Sequence, residues 1–76
     1  MENAERIEVL NAQILALEEP ERFFSVISKA KSMEELGRAY NVSVEQAKAM
    51  GEIPMKWIGD RKVLNRLSKE REVLSI

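Results

Sequence analysis

The sequence predicts an all-α fold, a small bundle of about five helices in which two longer terminal helices flank three short ones. Three observations carry that prediction. Apolar residues recur at spacings of three and four, as on one side of a 3.6-residue helix. Two Ser-x-x-Glu/Gln tetrads stand where helices would begin. No stretch of any length alternates apolar and polar residues in the manner of a half-buried strand.

The elements follow in order. Ile7, Leu10, Ile14 and Leu17 form a stripe with Glu2, Glu5, Glu8, Asn11 and Glu18 largely off it, predicting an amphipathic helix over residues 3–18. Pro20 removes a backbone donor and restricts Glu19, yet suits a first helical turn, so a second helix runs from Pro20 to Lys31. Phe23, Phe24, Val26, Ile27 and Ala30 occupy a broad face of it, the mark of a central, well-buried element. Ser32 and Glu35 form a capping box that opens a third helix, Met33 to Tyr40, and Asn41 ends it in a left-handed conformation. A second capping box, Ser43 with Gln46, opens a fourth helix that reaches Met50 and is closed by Gly51. Between Glu52 and Asp60, Pro54 and Gly59 punctuate a connector, and Asp60 caps a last helix with Val63, Leu64, Leu67 and Leu74 on one side.

With 76 residues, 45% hydrophobic and 33% charged, the chain is one folded domain spanning 1–76. A domain this short buries only about 60% of its unfolded surface, which favours support from a partner. It has no cysteine and no histidine, so disulfides, thiolate zinc sites, and Cys or Ser nucleophiles activated by His are excluded. No catalytic chemistry is expected, and no cofactor, metal or small-molecule substrate. The glycines at 37, 51 and 59 are too dispersed to cradle a phosphate. Glu18 and Glu19, or Glu34 and Glu35, diverge around a helix axis and make poor metal or acid–base pairs. Tyr40 has nothing nearby to activate a phenol of pKa about 10. MENAERIEVL lacks a basic segment leading into an apolar stretch, and no run approaches the roughly 20 apolar residues of a membrane span, so a cytoplasmic protein without membrane contact is expected.

The net charge of −1 argues against a strong field for nucleic acid, although the charge is uneven. Residues 1–20 hold five acids and one base; residues 52–76 hold four acids and six bases. If the terminal helices pack antiparallel, or meet another subunit, these opposite charges would steer the pairing.

Met33 to Met50 has the spacing of a helix-turn-helix, with small Gly37, a turn at Asn41, apolar Val42, and Ala47 and Met50 facing inward. The segment resembles bacterial helix-turn-helix units. That resemblance implies Ser43 and Gln46 near base edges and Lys48 near phosphate, with Lys56, Arg61 and Lys62 as further phosphate contacts. Capping explains Ser43 and Gln46 equally well.

A second pattern covers more of the chain. Ala16, Leu17 and Glu18 precede Glu21, Phe23, Phe24, Val26 and Ile27, and a second block runs through Ser43, Gln46, Ala47, Ala49, Met50, Glu52, Ile53, Met55 and Ile58. Leu67, Glu70 and Leu74 follow at apolar-acid-apolar spacing. Together these resemble the tip of the C-gate in the A subunit of bacterial type IIA DNA topoisomerases, gyrase and topoisomerase IV. The stretch from Met33 to Asn41 is about one helical turn shorter than in that family. The long coiled-coil arms that join a gate to its enzyme have no counterpart. The resemblance implies a non-enzymatic dimerisation or protein-interaction module, a homodimer or the partner of another protein. It gives Met50, Ile53, Met55, Trp57 and Ile58 an interface role. The same five residues would serve equally to close this small domain's own core.

Overall fold

The computed structural model describes residues 2–75, with side chains from Ala4 onward. Five α-helices and one 3₁₀ turn make up the described chain, with no strand among these residues. The helices are α1 (Glu2–Glu18), α2 (Pro20–Lys29), α3 (Met33–Tyr40), α4 (Val44–Gly51) and α5 (Arg61–Leu74); the 3₁₀ turn is Met55–Trp57. The all-α architecture expected from spacing and capping is therefore present, terminal helices long and inner helices short. None of the described helices is long and apolar enough to cross a membrane.

Local chemistry sets each boundary. Glu19 leaves helical geometry at φ −130°, as the residue before a proline tends to, and its carbonyl accepts the amide of Phe23 at 3.0 Å to start α2. Ser32 Oγ accepts the Glu35 amide, while the Glu35 carboxylate reaches one residue further back than a capping box requires, to the amide of Lys31. Asn41 is left-handed at φ 56°, and the Val42 amide returns to the Gly37 carbonyl at 2.8 Å. The Ser43–Gln46 box is complete, each side chain bonding the other's amide at 3.2 Å. Gly51 does not act as a left-handed stop: α4 runs through it into Glu52. The positive φ falls at Gly59, 87°, in the turn that delivers Asp60 to cap the Lys62 amide at 2.9 Å.

The flat molecule, 36 × 27 × 16 Å, has α1 at its middle, packed against α5, α4 and α2. Leu10, Ala12, Ile14, Ala16 and Leu17 are all buried, so α1 is covered on more than its expected stripe. Its two alanines let neighbouring helices approach closely on the second side. Phe23, Leu36, Tyr40, Ala47, Met50, Ile53 and Leu67 complete the core.

The central position expected of α2 belongs to α1 instead. On α2 only Phe23 is buried; Phe24 is 45% exposed and Ile27 37%. Adjacent residues project about 100° apart on a helix, so a helix packed along one side cannot bury both phenylalanines.

The terminal helices run antiparallel. Near one end Arg6 makes two bonds to the Glu70 carboxylate, at 2.7 and 3.1 Å, and toward the other Leu17 and Leu64 line one crevice. Arg71 also donates to Asn11 at 3.0 Å. The ion pair joins the single base of the acidic segment to an acid of the basic one. Arg6 holds the Glu70 carboxyl below the usual carboxylate range, mainly through the hydrogen bond.

Candidate interaction surface

Of the five residues expected to form an interface, two are core. Met50 is fully buried and Ile53 is buried to 9% exposure, both closing the bottom of α4 against α1. Trp57 and Ile58 are half-buried and pack on that core, with the Arg66 guanidinium 5.7 Å above the indole. Met55 alone stands free, at 77% exposure. The apolar run therefore does not present one surface. Across Pro54 and the short Met55–Trp57 turn the run divides, with Met55 outward and Ile53, Trp57 and Ile58 against the core.

The helices α3 and α4 meet in a corner at Gly37. A Cβ on Gly37 would lie 3.0 Å from the Val42 carbonyl oxygen and 3.6 Å from Ala47 Cβ, so the small residue allows α3 and α4 to meet. The candidate DNA contacts are otherwise engaged or dispersed. Gln46 uses its Oε1 on Ser43, and its Nε2 donates to the Glu8 carbonyl at 3.1 Å, tying α4 to α1. Ser43 is the cap that receives the Gln46 amide. Lys48 is exposed beside Glu45, Glu52 and Arg6 in a groove between α1 and α4. A neighbouring groove is lined by Glu5, Glu8 and Glu45. Lys56, Arg61 and Lys62 are exposed, but Arg61 borders the crevice at Glu18 and Pro20, toward the opposite end of α1 from Arg6. The six residues do not form one basic face, and the exposed side of α4 is flanked by carboxylates that repel phosphate.

Exposed apolar surface gathers elsewhere. Phe24, Ile27 and Met33 are 45%, 37% and 42% exposed, and Ile27 and Met33 share a shallow groove with Ala30, Leu36 and Gly51. Met33 lies across Gly51, its Cε 3.0 Å from where a Cβ would stand. Exposed Glu21 and Lys31 flank this patch, Lys31 lining the groove itself, while Lys29 lies on the other side of α2 with Val26, Glu35 and Ala39. Phe24 and Ile27, expected on a buried face of α2, are half-exposed instead, and the adjacency of Phe23 and Phe24 is the sequence signal that one must face out.

Tyr40 sits at the base of α3 with its ring 6.5 Å from Phe23 and the Arg22 guanidinium 4.7 Å above it. Its hydroxyl is buried without a partner, and burial pushes its pKa up while Arg22 partly opposes the shift. A phenol so placed is held protonated and in the core. Among the described residues no three Asp or Glu side chains converge where a metal ion could be held. No protein-family model, curated protein or solved structure matches the chain.

Proposed function

We propose that this chain is a non-enzymatic helical association module, acting in the cytoplasm through protein–protein contact and similar in kind to the gate tip of a type IIA topoisomerase A subunit. The observation that carries the reading is the exposed Phe24–Ile27–Met33 patch, which remains uncovered although the core closes without it. Three large apolar side chains grouped on two short helices are more than a small solvated surface needs. The antiparallel terminal helices, joined by three short helices, support the likeness to a gate tip that the sequence suggests. The interface moves, in this reading, from the Met50–Ile58 run to the α2–α3 face.

A helix-turn-helix regulator is the second reading, favoured by the Gly37–Asn41–Val42 corner. Glu45 and Glu52 on α4, beside Glu5 and Glu8 of α1, weigh against it. The two separate in one titration: labelled duplex DNA is followed by fluorescence anisotropy at low and moderate salt, with the protein's solution mass recorded alongside. Association without salt-dependent DNA binding is the expected result. Binding that falls steeply with salt, through counterion release, would replace the association reading with the regulator.

A further inference from the structure

We infer that the occupant of the α2 face is a second copy of this chain, paired through α2 against the partner's α2 in antiparallel register about a two-fold axis. This rests on the association reading above and names its partner and geometry.

The argument begins with the order of side chains along α2. On the side that bears the patch an acid, Glu21, stands at the N-terminal end; Phe24 and Ile27 hold the middle; Lys31, which lines the same groove as Ile27, stands just beyond the C-terminal end. An isologous contact must map a surface onto its own reverse. Reversing this helix sets Glu21 beside the partner's Lys31 and each apolar middle against the other. The pattern is therefore complementary to itself, and the parallel alternative sets like charges side by side. Helix dipoles add in the same sense, since antiparallel neighbours put each positive N-terminus by a negative C-terminus.

The charges required are available. Among the described residues Glu21 and Lys31 make no side-chain ion pair, whereas Arg22 is held over Tyr40 and within 3.9 Å of Glu19. Met33 flanks Ile27 on the same side and widens the apolar centre. Among the described residues the remaining exposed large apolar side chains, Met55, Val73 and Val44, lie on three different elements, and Val44 neighbours Glu45 at the acidic groove.

The test uses the full chain and reads mass by sedimentation, with circular dichroism as the control for folding. Phe24→Glu, at a half-exposed position, is expected to weaken dimerisation at least about tenfold with helix content unchanged. Glu21→Lys alone is expected to weaken it by setting lysine against lysine. Adding Lys31→Glu to that variant restores it, because the reversed pattern is again self-complementary.

Because the chain has no cysteine, a single introduced thiol reports geometry directly. With the axis near Val26, the two Ser28 positions lie about 6 Å apart along the helices and about 8–10 Å across them, so Ser28→Cys is captured by a short thiol–thiol linker. Lys69→Cys on α5 is not. A dimer indifferent to Phe24→Glu and to the charge reversals overturns the α2 pairing while leaving association standing. A chain that stays monomeric at every concentration overturns the pairing too, and leaves the association reading to the DNA titration and to other partners.

Discussion

Gln46 distinguishes a structural α4 from a base-reading one. Its amide completes the capping box with Ser43 at 3.2 Å and donates to the Glu8 carbonyl at 3.1 Å, linking α4 to the central helix. Gln46→Ala removes both bonds. At about 0.5–1.5 kcal/mol for each, the loss is about 2 kcal/mol. For a domain of this size that is a fall of roughly 8–16 °C in Tm, readable by circular dichroism at 222 nm. Gln46→Glu keeps an acceptor for the Ser43 amide but loses the donor and adds a carboxylate beside Glu5, Glu8 and Glu45, which line the same groove. It should lie between wild type and alanine at high salt and drop toward alanine at low salt, where repulsion is unscreened. Ser43→Ala removes the other half of the box and costs about 1 kcal/mol. Because the two side chains bond each other, the double variant should lose less than the sum of the singles. A Gln46→Ala protein that melts within about 2 °C of wild type would refute this accounting, since even one lost bond moves Tm further.

Further predictions follow from the core and the α1–α5 contact. Tyr40→Phe deletes a buried hydroxyl without a partner while keeping the ring against Phe23 and Arg22, so stability should hold or rise by up to about 1 kcal/mol; a clearly lower melt would mean the hydroxyl is satisfied. Gly37→Val drives a branched side chain into the Val42 carbonyl and Ala47, and should cost about 2 kcal/mol, seen in urea as a lower midpoint at unchanged m. Glu70 should titrate below the ordinary glutamate value of about 4.3 by side-chain carboxyl NMR, and Arg6→Met should return it to that range. Since the folded carboxyl is the stronger acid, the stability it contributes is present above the unfolded value and lost as pH falls through the folded one. An unchanged Glu70 midpoint in Arg6→Met would contradict the pairing.

What the sequence disclosed was mostly local. Ser32, Asn41, Ser43 and Asp60 act on backbone groups within three or four residues, so their residue types name the helix ends directly. The Gly37 corner was legible for the same reason. What depends on which helix lies in the middle was not. Ala12 and Ala16 are too small and too common in helices to announce a buried face, so α1 read as one-sided and α2, with two phenylalanines, as central. Met50 and Ile53 fit interface and core equally because they cluster with Met55 and Trp57 in sequence; folding buries both and leaves Met55 outside. The Phe24–Ile27–Met33 patch joins two helices across a non-helical link and emerges only when the chain is folded.

The most direct test of the association reading is the solution mass of the wild-type chain over a wide concentration range, measured beside Phe24→Glu. The account predicts a rise from the 8.7 kDa monomer toward twice that mass, absent in the variant although its helix content is unchanged. A wild-type chain that remains at 8.7 kDa throughout and binds duplex DNA in a salt-dependent way would contradict it.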